Sequence, residues 1–397
     1  MPSPSKRLSL IPPYLFAEMS RIKAEAIARG ADVIDLGIGD PDIPTPHAVI
    51  DALVRAVEKP ETHRYDETPR GWWPFLEAAA QWYGREFGVA LDPKTDVGQV
   101  IGTKEGLAHL AWAYADPGDV VITPNPGYTV YRVNSLMAGA EVHETPLRAE
   151  HGFLPRLEDI PTDIARRAKL FYVCYPHNPT GAVATPEFYR DAVRFCREYD
   201  ILLVNDMAYS TVTYDGFTNP TALQVEGAKD VTIEFHSLSK MFNMTGWRLG
   251  FSIGNPDAVQ TLQKLKSNLD SKQFPAIAEA GAWALTHLDN RETLKIYEER
   301  RNRLVDGLNA LGWNVPKPKA TFYIWAPVPG GMDSSTFAEE MLARTNVLVI
   351  PGVGYGAEGE GYVRMSLTLL GDVNGERFDE VVRRIQESGL IPQPAGV

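Results

Sequence analysis

From about residue 45 to residue 290 the chain alternates short apolar runs with stretches of helical periodicity. That is the signature of βαβ units and a mostly parallel sheet. "DVGQVIG" reads as a strand and "TKEGLAHLAWAYA" as a helix, after which "DPGD" turns the chain into the strand "VVITP". "AKLFYVCYP", the helix "TPEFYRDAVRFCREYD" and the strand "ILLVND" repeat the unit. Polar or glycine-containing residues follow each strand, at the edge where open α/β sheets bind ligands. Beyond residue 290, "RETLKIYEERRNRLVDGLNALG" reads as one long amphipathic helix leading to shorter strands, "TFYIWAPV" and "VLVIPG". The expected division is therefore 1–44 as an N-terminal arm and part of a small domain, 45–290 as a large domain, and 291–397 as the small C-terminal α+β domain. The first forty residues, short and broken by prolines, are expected to pack against the small domain or a partner subunit.

Composition narrows the function. The chain has 397 residues, 44% hydrophobic, and acidic residues exceed basic ones by 51 − 39 = 12. Such a field repels nucleic acid and anionic membranes. Two cysteines, Cys174 and Cys196, lie in apolar surroundings without metal-type spacing, which fits buried thiols in a reducing compartment. No pair among the eight histidines has metal-ligand spacing. No run of about eighteen apolar residues occurs, so a cytoplasmic location is expected. Without a secretory signal, the sequon at Asn243 carries no weight.

"HSLSKMFNMTGWRLGF", residues 236–251, sets a lysine and an arginine between apolar, β-forming flanks. Buried cations require partners, so an anion belongs nearby. Asn178, Asp206 and Lys240 each follow a different strand, and strand ends on one edge of a parallel sheet converge. With Ser237, Ser239 and Arg248 they supply a lysine for covalent attachment, a carboxylate for a ring nitrogen and donors for a phosphate. Pyridoxal phosphate asks for that set. The simpler readings are a surface lysine, a turn-capping aspartate and a turn asparagine in "HNPTG".

"SLSKMFNMTGWRLGF", "NPTG" at 178–181, "D-x-x-Y" at 206–209 and "YVRMSL" at 362–367 stand in the order found in class I/II aminotransferases of fold type I, which the whole chain resembles. Within that family, "YLFAEMSRIKAEAIARGADVIDLGIGDPDIPTP" and "GTKEGLAHL" most resemble the LL-diaminopimelate aminotransferases. The resemblance implies that Lys240 attaches the cofactor and then moves the α-proton, while Asp206 pairs with the ring nitrogen. It further implies that Tyr209 and Asn178 face the cofactor's phenolic oxygen, and that Tyr128 stacks on the ring. Ser237, Ser239 and Arg248, with Gly102, Thr103 and Lys104 at a helix N-terminus, would hold the phosphate. Arg364 would grip the substrate carboxylate as a fork, with Gly39 allowing close backbone approach.

Tyr65 resembles the tyrosine that reaches the phosphate of a neighbouring subunit, which implies a homodimer with shared active sites. Its loop departs from the family pattern by an apparent extra residue before Gly71 and by Leu76 where an arginine is frequent; Trp72 and Trp73 read as packing residues. "GVGYGAEGEG" reads as a flexible loop, and the cations of "ETLKIYEERRNRL" as a solvated helix face. The implied activity is ping-pong transamination, with LL-diaminopimelate and 2-oxoglutarate as the expected pair. A broad alanine, aspartate or aromatic aminotransferase and a carbon–sulfur lyase share these motifs, whereas a cofactor-binding transcription regulator would need a DNA-binding domain and a less acidic chain. Side-chain selection is not legible; Lys104, Asn268, Lys272 and Tyr14 are candidates only.

Overall fold

In the computed structural model, residues 1–11, 15–372 and 374–391 are described, which leaves Tyr14 outside the described residues. Twelve strands occur among them. In chain order they are β1 (Ile34–Asp35), β2 (Val97–Val100), β3 (Val120–Asn125), β4 (Glu141–Pro146), β5 (Ala168–Cys174), β6 (Leu202–Asp206), β7 (Thr232–Ser237), β8 (Gly250–Gly254), β9 (Tyr323–Pro327), β10 (Val347–Leu348), β11 (Ile350–Pro351) and β12 (Tyr362–Ser366).

Seven of them form one sheet in the order β2-β8-β7-β6-β5-β3-β4. All pairs are parallel except those of β8, which runs antiparallel to both β2 and β7. Every residue of β3, β7 and β8 is buried, as expected when helices cover both faces of a sheet. Register brings the chemistry together, because Cys174 pairs with Asp206 and Asp206 with Phe235, two residues before Ser237. The ends of β5, β6 and β7 therefore share one edge.

A second hydrophobic core, besides that of the large sheet, joins Ile34 and Leu36, the segment around Tyr209–Tyr214, the long helix Arg291–Ala310 and strands β9, β10 and β12. Strand β1 pairs in parallel with β10, which ties Ile34 and Asp35 to this unit. The turn Lys6–Leu10 lies elsewhere, with Arg7 Nη1 donating to the Met137 carbonyl at 3.2 Å on a helix of the large sheet. "VLVIPG" is not one strand. Its residues divide between β10 and β11, which belong to different sheets.

Two expectations are overturned here. Arg300 and Arg301 on the long helix are each 1% exposed rather than solvated. Arg300 makes a two-pronged pair with Asp42 at 2.8 Å, and Arg301 reaches Asp215 at 2.7 Å. Their partners lie 258 and 86 residues away, beyond any periodicity of the helix itself. The glycine-rich 352–361 segment, expected to be a flexible loop, forms two packed 3-10 turns. A Cβ on Gly352 would lie 2.0 Å from the Gly359 carbonyl, so two glycines allow backbones to meet there.

Candidate active site

The cavity at this sheet edge has a volume of about 440 Å³ and is walled by Tyr131 and Cys174 from the core of the large sheet and by Tyr209 and Tyr323 from the second core. Of the residues singled out from sequence, Gly39, Thr103, Lys104, Tyr128, Asn178, Asp206, Tyr209, Ser237, Ser239, Lys240, Arg248 and Arg364 line it. Gly102 is not on the wall but caps the helix Thr103–Tyr114 at φ 75°, and a Cβ there would lie 2.5 Å from Arg248 Nη2. Asn268 and Lys272 are not on the wall. Asn268 donates to the Lys264 carbonyl, and Lys272 pairs with Asp66 at 3.1 Å. Tyr65 is 93% exposed and stands away from its own chain's cavity. Leu76 is core, and Trp72 Nε1 donates to Glu279 at 2.6 Å, the packing use expected of it.

Lys240 sits on a single short helical turn, Leu238–Met241, directly after β7. Its Nζ donates to the Gly39 carbonyl at 2.7 Å. Burial disfavours the ammonium and pushes its pKa down to about 8, Asp40 opposing the shift and Arg364 and Arg248 adding to it. Asp206 ends β6 and is 4% exposed. Burial raises its pKa to about 6, although the Tyr131 hydroxyl at 2.8 Å and the Ala208 amide at 3.2 Å both donate to it. Neither donor is charged.

At one end of the cavity, Ser237 Oγ accepts from the Ser239 amide at 3.1 Å, and Thr103 and Lys104, which open the helix Thr103–Tyr114, line the same space. Arg248 takes a left-handed backbone conformation, φ 53°, and Nη1 donates to the Thr245 carbonyl at 2.8 Å. At the opposite end Arg364 is 1% exposed. Its Nη1 donates to Asn178 Oδ1 at 2.9 Å and its Nη2 to the Gly37 carbonyl at 2.6 Å, while the guanidinium carbon lies 4.0 Å from the Tyr323 ring centre. Tyr209 and Tyr323 join hydroxyls at 2.8 Å.

Sequence reasoning passed over Tyr131, Tyr323, Tyr355, Lys23 and Asp35, all on the cavity wall. Tyr131 was within reach, since it follows Tyr128 by three residues at the start of the helix Thr129–Ala138, one turn along the same face. Tyr323 carries no such signal, being 114 residues from Tyr209. Cys174, read as an inert buried thiol, is buried and also touches the cavity.

Residues 31–385 match the family described as aminotransferase class I and II. LL-diaminopimelate aminotransferase from Moorella thermoacetica is 50% identical over 384 residues, 96% of this chain and 97% of that protein. Its namesake from Desulforudis audaxviator is 51% identical over 367 residues, 92% and 93% of the two chains. Substrate-bound BacF from Bacillus subtilis superposes with a TM-score of 0.93 at 34% identity, covering 100% of both chains. Aspartate aminotransferase from Thermotoga maritima gives 0.88 at 30% identity, over 97% of this chain and 99% of that one. With sequence matching over most of its length, and a lysine, an aspartate and an arginine converging on one cavity, the chain belongs to the class I and II aminotransferases of fold type I, enzymes of the transaminase class.

Proposed function

We propose that this aminotransferase binds pyridoxal 5′-phosphate in the cavity and exchanges amino groups between LL-diaminopimelate and 2-oxoglutarate. The observation that carries the cofactor is the buried Asp206 carboxylate, whose hydrogen-bond donors are both neutral, in the same cavity as a Lys240 amine pushed toward its neutral form. A protonated pyridine nitrogen is the cation such a carboxylate calls for. When bound, the cofactor supplies an aldehyde that takes up amino groups and a cationic ring that withdraws electrons from the substrate α-carbon.

The chain's own residues divide the remaining work. Lys240 Nζ, neutral in a large fraction of molecules near pH 8, would supply the amine that holds the cofactor and would carry the proton taken from the substrate α-carbon. Asp206 keeps the ring nitrogen protonated, and Tyr131 holds that carboxylate in place. Asn178 accepts from Arg364 through Oδ1, which leaves its Nδ2 protons to donate toward the phenolic oxygen alongside Tyr209. Ser237, Ser239, Arg248 and the N–H groups opening at Gly102, Thr103 and Lys104 retain the phosphate, each charge-assisted bond contributing roughly 1.5 to 3 kcal/mol. Tyr128 covers the ring, and Arg364 orients the substrate by its α-carboxylate.

The substrate assignment rests on relatives about half identical over nearly the whole chain that bear the name LL-diaminopimelate aminotransferase. A homodimer in the cytoplasm completes the reading. Tyr65, exposed in its own chain, supports a site shared between subunits, and two buried free cysteines suit a reducing compartment. Among the described residues no helix is long and apolar enough to cross a membrane.

Single-turnover spectra test the substrate. LL-diaminopimelate mixed with holoenzyme is expected to bleach the lysine-bound cofactor absorption rapidly and yield keto acid without ammonia. Rapid bleaching by alanine or tyrosine with none by LL-diaminopimelate would remove the assignment. Pyruvate released together with ammonia would indicate a lyase instead.

A further inference from the structure

Four consecutive carbonyls, of Leu36, Gly37, Ile38 and Gly39, each accept a hydrogen bond from a different residue, two of them on the cavity wall. Leu36 accepts from the Ser366 amide at 2.7 Å, Gly37 from Arg364 Nη2 at 2.6 Å, Ile38 from the Thr368 hydroxyl at 2.7 Å and Gly39 from Lys240 Nζ at 2.7 Å. This short segment thus spans from the arginine to the lysine. Its root is Asp35. Asp35 Oδ1 accepts from the Gly37 amide at 2.8 Å, and Oδ2 pairs with Lys23 Nζ at 2.8 Å on the N-terminal helix Leu15–Ala28.

We infer that Asp35 is a positioning residue for substrate carboxylate recognition, which it serves by fixing the Gly37 carbonyl that orients Arg364, and that Lys23 ties this setting to the N-terminal helix. The inference rests on the proposed role of Arg364. The Asp35 side chain is 10% exposed, so both of its oxygens are held in a largely dry environment where hydrogen bonds are directional and strong. A Cβ on Gly37 would lie 2.8 Å from Ile350 Cδ1 and 3.1 Å from Asp35 Oδ1, so little slack exists for the peptide to reorient. The Gly37 N–H points to Asp35 and its carbonyl points to Arg364. The two contacts lie on the peptides that flank one Cα, so between them they fix the backbone on both sides of Gly37. Lys23 lines the cavity itself, so packing of the N-terminal helix and the aim of Arg364 are linked through one carboxylate.

The test uses holoenzyme with Asp35→Ala, which removes the acceptor for the Gly37 amide together with the charge facing Lys23, and with Lys23→Met, which breaks the pair from its more exposed end. Glutamate KM and the inhibition constant of succinate are each expected to rise about tenfold in either variant, with kcat at saturation within about threefold of wild type. The reaction of propylamine, which has no carboxylate, should be unchanged, and the double variant should be no worse than either single one. Unchanged glutamate and succinate constants in both variants, or an equal loss with propylamine, would overturn the relay. Arg364→Ala serves as the reference. If it fails to separate succinate from propylamine, the role assigned to Arg364 falls; if it separates them while the other two variants are silent, only the relay falls. Should Asp35→Ala not fold, Lys23→Met alone decides.

Discussion

At the scale of single residues, the site depends on two groups whose proton affinities burial has moved in opposite senses. Lys240 binds its proton less tightly in the folded protein, about 8 against an ordinary 10.5, so the rate at which cofactor-free protein takes up pyridoxal phosphate should climb through a midpoint near pH 8. A rate flat from pH 6 to 10 would contradict this. Asp206 binds its proton more tightly, about 6 against 3.8, so above pH 6 the ionised carboxylate costs the cofactor-free fold on the order of 3 kcal/mol. That cost fades as pH falls from 6 toward 3.8. Asp206→Asn should therefore stabilise the cofactor-free protein at pH 7.5 in urea unfolding, and bring little gain near pH 4. The same variant should lose at least about 10³-fold in transamination, because a neutral amide cannot hold the ring nitrogen protonated. Stability and function pull apart at this position.

At the scale of elements, the 36–39 segment and β9 meet with no room between them. A Cβ on Gly39 would lie 2.0 Å from the Tyr323 hydroxyl oxygen, closer than any real contact. Gly39→Ala must push the segment away from the cavity or swing Tyr323, which would break the Tyr209–Tyr323 contact as well. We expect a loss of about 1 to 3 kcal/mol in stability, together with a raised KM for the amino acid, measurable by thermal unfolding and steady-state kinetics. Wild-type KM in a well-folded Gly39→Ala protein would show that the close approach does not matter to binding. The long helix teaches a related lesson. Its sequence alternates charges in the manner of a surface helix, yet Arg300 and Arg301 are interior because Asp42 and Asp215 arrive from other elements to meet them.

At the scale of the molecule, a cavity walled by two cores leaves Tyr65 outside, fully accessible on its own chain. If this tyrosine completes a partner's phosphate site, two defective chains can rescue one another. Lys240→Ala and Tyr65→Ala proteins, each impaired alone, should recover about a quarter of wild-type activity when unfolded and refolded together in equal amounts, because half the dimers are then mixed and each carries one intact site. Activity no higher than the mean of the two parents would count against shared sites.

The α/β character, the strand ends bearing Asn178, Asp206 and Lys240, and the helix opening at Thr103 were legible in the letters, because alternating periodicity and turn chemistry act over a few residues at a time. Family motifs extended that reading to Arg364. What the letters could not contain was which carboxylate meets which cation across hundreds of residues. The pairing of Arg300 with Asp42, the hydroxyl of Tyr131 on Asp206, the comb of carbonyls from Leu36 to Gly39 and the packed turns at 352–361 follow from how two cores close on one another. Local propensity is blind to such contacts, since a buried charge or a glycine without a Cβ acquires its meaning only from the neighbour that folding delivers.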